Sequence, residues 1–448
     1  MRICQLKQIS IKKIAIVFFP LFLYSFSFAK NLNEETATIL ALQNSRELKI
    51  AEQELEVAKG ARYEAVSTAL PQIYIGLSYS RINSASVISP FIPEESFLIP
   101  IGVPSETKSN KLSNNYGGQV LVLQPLFTWG QIKFTNVLAK QNYLFTKEKL
   151  SQAKNDCIFK AKENFYKTLL AIKLSLIADE SYDLSQKRLE MTKNLFNEGK
   201  ASKYDVSRAE VVVANARTLA LKAENIFEVS KETLKSFLDL KEDIVIEGEF
   251  NFQDLDFSID EIWEKMVYAR PEIKQMGYRE NIAKSLLSIN KTNSKPKINC
   301  DYYYTSDAPD LYRDFNSWNK SWILGVSLYW HVFDGLLSYG KIKKADAQLE
   351  QVRNTNKANL EVFKLEAISA YLNFNQAKKS ISVEKENVIL ANENLKIAHK
   401  RYSMGLMSSI ELQDVQFAFS QAKTNYQQAL YDYNIAIATI LKVMGSNN

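Results

Sequence analysis

Histidine and cysteine are almost missing from this chain. His331 and His399 are the only histidines, and Cys4, Cys157 and Cys300 the only cysteines. No His/Cys/Asp/Glu grouping has metal-ligand spacing, and no GxGxxG, P-loop or GxSxG stretch occurs. Metal, nucleotide and acyl-transfer chemistry therefore lack the residues they need, and neither an enzyme nor a cofactor is expected. Two cysteines beyond the first thirty residues do not make a disulfide scaffold, so Cys157 and Cys300 are expected unpaired. A large charge excess is missing too. Four of the six net positive charges come from Arg2, Lys7, Lys12 and Lys13. What remains gives a nucleic-acid partner no electrostatic footprint.

Proline and glycine are absent over long distances. No proline lies between Pro125 and Pro271 or after Pro309, and neither residue occurs between Gly130 and Gly199 or between Gly340 and Gly405. These stretches are rich in Ala, Lys, Glu, Leu, Asn and Gln, a helical composition. Val137, Leu144, Ile158, Phe165 and Ile172 fall on one seven-residue grid, with Ser151 the only break. Leu412, Val415, Phe419, Ala422, Tyr426, Ala429 and Tyr433 step by three and four without a miss. Both patterns are coiled-coil seams. A helix of nearly fifty residues would run about 70 Å, too long for an ordinary globular domain.

What is present between the helices is strand-like. In QIYIGLSYS (72–80), Ile73, Ile75, Leu77 and Tyr79 share a face. In SWILGVSLYWHVF (321–333), Trp322, Leu324, Val326, Leu328, Trp330 and Val332 do so, opposite Ser321, Gly325, Ser327, Tyr329 and His331. KINCDYYYT (297–305) alternates as well, and YGGQVLVLQPLF (116–127) is apolar on both faces. Segments of this length, with aromatic residues at their ends, suit tilted transmembrane β-strands with an apolar face toward lipid. Four such strands cannot sit open in a bilayer, where each unpaired edge group costs several kcal/mol, and the smallest membrane barrels need about eight. An oligomer is required.

The first residues fit export. MRICQLKQISIKK is basic, IAIVFFPLFLYSFSF is apolar but short and broken by Pro20, and Ser27-Phe28-Ala29 is a small-x-small site. A secretory signal peptide over 1–29, cleaved after Ala29, is expected.

The chain repeats itself. LFNEGKASKYDV (195–206) and RYSMGLMSSIEL (401–412) align Phe196 with Tyr402, Gly199 with Gly405 and Asp205 with Glu411, a shift of 206 residues. ELKI (47–50) leads to Pro71 as EIKQ (272–275) leads to Pro296, and PLFTWGQIK (125–133) matches HVFDGLLSYGKIK (331–343) with four extra residues in the second copy. The unit is helix, strand, loop, strand and two long helices. One copy is expected over 30–241, with strands near 72–82 and 116–127 and long helices over 130–240. A connector spans 242–263. The second copy covers 264–448, with strands near 297–306 and 321–333 and long helices over 340–444.

This order of elements resembles the TolC-like outer-membrane efflux proteins, the outer membrane factors, over about residues 31–445. It is carried by the duplication, the strand-to-helix turns at Phe127 and Phe333, the A-R-P-E-I stretch at 269–273 and the two aromatic-x-x-G elements. The resemblance implies a homotrimer whose twelve-stranded outer-membrane β-barrel continues into a periplasmic α-helical barrel. Such ducts serve drug-efflux pumps or type I secretion systems, docked to a periplasmic adaptor and an inner-membrane pump of RND or ABC type. It also places the aromatic-x-x-G elements at breaks in the helices at the tunnel's equatorial waist. The capping signal at Ser202 and Ser408 or Ser409 fits an ordinary helix–helix turn equally well. The hairpin turns that would narrow the duct are then expected near 171–176 and 377–382. Aperture candidates are Lys173, Asn373, Asn375, Lys378 and Lys379, where better-known members carry acidic side chains; an acidic constriction is not expected. The lysines suit solvated helix tips better than a selectivity filter. The loops near 82–115 and 307–320 are expected outside the cell. A periplasmic adaptor would need one helical hairpin and soluble β-domains. A surface adhesin or structural coiled coil would explain heptads and secretion but not the girdled strands.

Overall fold

The computed structural model describes residues 30–82, 113–312 and 314–445. The signal-peptide segment and nearly all of the first expected external loop lie outside the described residues.

The chain runs β1 (Lys30–Leu32), α1 (Glu34–Asn44), α2 (Arg46–Ser67), β2 (Gln72–Ile82), β3 (Ser113–Phe127), α3 (Gln131–Asn197), α4 (Lys203–Phe237) and β4 (Ile244–Ile246). It continues through α5 (Ile259–Ala269), α6 (Pro271–Thr292), β5 (Lys297–Ala308), β6 (Asn319–Tyr329), α7 (Leu337–Ser403) and α8 (Ser409–Val443). Each helix of the first half has a twin of equal length. α1 and α5 have 11 residues each, α2 and α6 22, α3 and α7 67, and α4 and α8 35. At ~1.5 Å per residue the two long helices run about 100 Å.

The repeat is offset by 225 residues from α1/α5 through the start of β2/β5, and by 206 from the start of β3/β6 through α8. The change falls in the loop between the paired strands, longer in the first copy. Four extra residues at the strand-to-helix corner, expected from the sequence, are not there. Trp129 and Gly130 both have positive φ, and so do their equivalents Gly335 and Leu336. Glycine has changed places within an unchanged left-handed corner, and matching QIK to KIK by residue type mistook this for an insertion. The second copy also begins earlier than 264. Ile259 opens α5 under the Ser258 N-cap, so the last residues assigned to the connector are helical.

β2, β3, β5 and β6 form one antiparallel sheet in that order, and both outer edges are open among the described residues. The register puts Ile73 beside Val122, Val122 beside Tyr302 and Tyr302 beside Leu324; Ile75, Val120, Tyr304 and Trp322 make the next row. Ile73, Ile75, Leu77, Trp322, Leu324, Val326 and Leu328 therefore share one face, and all are exposed. Trp330 lies just past the end of β6, with its indole N–H on the Ser294 carbonyl at 3.1 Å. The opposite face is polar and internally bonded. Tyr303 donates to Gln119 at 2.7 Å, Ser327 to buried Asp301 at 2.8 Å, and Thr305 meets Ser321 at 2.6 Å. A short parallel pair, β1 with β4, was not foreseen.

The helical core sits midway along α3 and α7. Leu169 and Ala161 of α3 pack with Ala37 and Ala41 of α1, Leu234 of α4 and Ile244 of β4. Phe374 and Ile381 of α7 pack with Ile262 and Met266 of α5 and Tyr433 and Ile440 of α8. The α8 seam is as expected: Leu412, Phe419, Ala422, Ala429 and Tyr433 are buried. Arg270, capping the α5–α6 break, is buried against the Phe363 ring and paired with Glu366 at 2.9 Å and Glu272 at 3.2 Å. Cys157 and Cys300 are free, one buried in α3 and one on β5. Phe374 is fully buried, so Phe374→Ala is expected to cost about 3–5 kcal/mol and lower the midpoint of thermal unfolding followed by circular dichroism.

Candidate functional site: hairpin turns and a strapped waist

The chain reverses where glycine allows it. α3 ends at Asn197 and α4 starts at Lys203; α7 ends at Ser403 and α8 starts at Ser409. Gly199 and Gly405 have φ of 75° and 73°, a conformation that costs glycine nothing. The amide of Gly199 donates to the Phe196 carbonyl and that of Lys200 to Leu195; Gly405 and Leu406 repeat the pattern on Tyr402 and Arg401. This is a Schellman closure, which satisfies the last carbonyls of a helix. Ser202 and Ser408 then start α4 and α8 as N-caps in reciprocal boxes with Asp205 and Glu411. The aromatic-x-x-G elements are thus the hairpin turns and not helix breaks at the waist.

The expected turns near 171–176 and 377–382 are not turns. Both stretches lie inside uninterrupted helix, because nothing in AIKLSL or AKKSIS disfavours helix and neither contains glycine or proline. The aperture candidates are accordingly relocated to the middle of the molecule. Lys378 donates to the Leu255 carbonyl at 2.7 Å and pairs with Asp254 at 2.8 Å, and Lys173 approaches Glu249 at 3.9 Å. Two of the five thus strap the connector to the long helices. Asn373 lines a groove of about 480 Å³ between α7 and α8 with Gln376, Ser380, Gln428 and Asp432. Asn375 is half-buried and Lys379 exposed.

The two turns match in backbone and differ in surroundings. Tyr402 is buried with Leu412 among Met191, Leu195 and Val415, and its hydroxyl meets that of Thr192 at 3.0 Å across the two hairpins. Its counterpart Phe196 is exposed. Deeper in the same seam, buried Arg188 donates to Gln416 at 3.3 Å, while its Nε has no partner among the described residues. Burial pushes the Arg188 pKa down. This network was not foreseen, since no local pattern announces that an arginine on a coiled-coil helix will be covered by another hairpin.

Among the described residues no group of His, Cys, Asp and Glu could hold a metal ion, and no helix is long and apolar enough to cross a membrane. What the geometry offers is a sheet with one apolar face joined to two long helical hairpins. The sequence model of the outer membrane efflux proteins matches residues 39–238 and 265–446. The chain belongs to that family.

This efflux protein has the fold of solved outer-membrane channels. The CmeC channel of Campylobacter jejuni superposes with a TM-score of 0.80 at 16% identity, covering 92% of this chain and 85% of CmeC. VceC of Vibrio cholerae gives 0.79 at 15% identity, covering 92% and 96%. The open state of the MtrE channel of Neisseria gonorrhoeae gives 0.71 at 15%, covering 92% and 89%. Protein CyaE of Bordetella pertussis is 26% identical over 123 residues, so this match spans 28% of the efflux protein and 26% of CyaE.

Two outcomes are expected at the turns. The Gly405 site has open space for a methyl group, so Gly405→Ala should cost about 1–2 kcal/mol through its φ alone, read as a lower thermal midpoint. The second concerns pH. The hydroxyl and amide of Ser202 hold the Asp205 carboxyl below the usual carboxylate range, and the amide and hydroxyl of Ser408 do the same for Glu411. With the folded pKa below the unfolded one, the cap contributes fully above the unfolded value and is lost as pH falls through the folded value. Protection of the Ser202 and Ser408 amides from hydrogen exchange, corrected for intrinsic rates, should fall over that acidic window. Asp205→Ala and Glu411→Ala should abolish the dependence at their respective turns.

Proposed function

We propose that three copies of this chain form a passive exit duct in the outer membrane of a cell with two membranes. Their sheets close into a twelve-stranded barrel, and their long helices continue it as a tube across the periplasm. Ile73, Ile75, Leu77, Trp322, Leu324, Val326, Leu328 and Trp330 face lipid, and the polar face with Asp301, Tyr303 and Gln119 lines the lumen. The observation that carries this reading is a four-stranded sheet, apolar on one face, with both edges unpaired among the described residues. Such a sheet enters a bilayer only as part of a closed barrel.

In this reading the turns at Gly199 and Gly405 form the periplasmic end, where a periplasmic adaptor engages and an inner-membrane pump of RND or ABC type delivers cargo. The signal peptide leaves after Ala29. The family's efflux role supports export of small molecules, and type I secretion uses the same kind of tube. Nothing reacts in the duct; the pump supplies the energy.

Extraction of the mature protein from outer membranes in mild detergent should give a native mass of three chains. Planar-bilayer recordings of that species should show discrete conductance steps. A chain that stays monomeric and soluble without detergent would sink the proposal, because four strands cannot close.

A further inference from the structure

One row of the sheet departs from the polarity of its own face. Tyr74, Leu121, Tyr303 and Ile323 stand side by side across the four strands. They share the face that carries Gln119, Asp301, Thr305 and Ser327. Leu121 is buried in the row, whereas Ile323 is 61% exposed. The next row on that face, about 7 Å along the strands, reads Gln72, Leu123, Asp301 and Gly325. An aromatic and aliphatic stripe thus runs beside a carboxylate on the wall assigned to the lumen.

Resting on the duct proposed above, we propose that Tyr303, Ile323, Asp301 and Gly325 form a contact site in the lumen for planar organic cations among the cargo. Tyr303 and Ile323 supply an apolar bed for rings, and an aromatic face also attracts positive charge. Asp301 supplies the negative charge. It is 7% exposed and accepts from Ser327 at 2.8 Å, so its carboxylate is drawn into the wall, where salt screens it less. Gly325 lies beside Asp301 in the register and next to the bed, and nothing stands within 4 Å of where its Cβ would be. That opening lets a cation approach the carboxylate while its rings cover Ile323. The charged residues of the described sheet on this face are Lys297, Asp301 and Asp307, an anionic excess that suits the same ligand.

The bed is fixed before any ligand arrives. The Tyr303 hydroxyl donates to Gln119 at 2.7 Å. Gln119 in turn lies over Gly76, where a Cβ would meet its Nε2 at 2.8 Å and its Cγ at 2.9 Å. A ring held in place in this way loses little freedom on contact. The repeated wall does not itself require these side chains. At the repeat offsets, Gly76, Ser78, Gly117 and Gln119 stand where Asp301, Tyr303, Ile323 and Gly325 stand in the second copy. The first hairpin makes the same strands without an apolar bed or a carboxylate. Contact in a duct must also be weak enough for cargo to leave, which a short stripe at the wall of a wide lumen satisfies.

The test records single channels of the full mature chain in planar bilayers while ethidium, a planar aromatic cation, is added. Tetraethylammonium, which has the same charge and no rings, is the control. Ethidium should interrupt the current for several-fold longer than tetraethylammonium does. Ile323→Asn, which removes part of the bed, and Gly325→Lys, which fills the opening with a cation, should each shorten the ethidium interruptions several-fold. Ile323 is exposed and Gly325 has open space, so the wall can accept both side chains. Equal interruptions by the two cations, or ethidium interruptions unaltered in either variant, overturn the site and leave the duct standing. A chain that gives no conductance overturns both.

Discussion

Backbone hydrogen bonding in hydrocarbon is the constraint on which this molecule depends. Every amide and carbonyl in the bilayer core must find a partner, and β2 and β6 each present a row that the single chain leaves bare among the described residues. The same sheet has exposed apolar side chains on one face and hydrogen-bonded polar pairs, Ser327 with Asp301 and Tyr303 with Gln119 among them, on the other. One face therefore asks for lipid and the other for water, while the edges ask for more chain. Only a closed wall answers all three demands.

The helices inherit their arrangement from that wall. α3 leaves β3 through a left-handed two-residue corner, and α7 leaves β6 through an identical one. Each then runs unbroken for 67 residues. The shorter helices pack along these struts end to end, and the gaps between them fall at the middle. The connector crosses there, and Lys378 binds it to α7 through Asp254 and the Leu255 carbonyl. The waist is thus where the short helices stop, not where the long ones break.

Much of this was legible in the residues. The strand faces follow from strict alternation, the α8 seam from steps of three and four, and the duplication from paired motifs. The turns were legible as helix ends but not as to which ends they were. Glycine with positive φ and a serine cap give the same local signal at a hairpin tip and at a mid-wall break, and only packing of α3 on α4 separates the two. The lysines at 173 and 378 misled for a related reason. Charge on a helix suggests a solvated tip, yet here it holds the connector between the two copies of the repeat. Arg188 is the extreme case, since its burial is created by a hairpin more than two hundred residues away.

The seam inside the chain joins two halves that are already one molecule. The seam inside the chain contains Arg188, a buried cation with a neutral partner, and a Thr192–Tyr402 hydrogen bond. Desolvating such a charge without a counter-ion opposes close packing. That cost is tolerable where the connector already holds the two halves together, because tethering replaces association. The repeat-equivalent positions on the outer flanks of the chain have no such tethered neighbour among the described residues. They include Ile50, Phe196 and Ile397, all exposed in the single chain, and Asn394 stands at the position equivalent to the buried arginine. Apolar area that is removed from water only on assembly contributes about 25 cal/mol per Å² toward bringing the copies together. The covalent link can thus hold a seam that contains a buried cation, while the exposed apolar area on the outer flanks favours association with further chains.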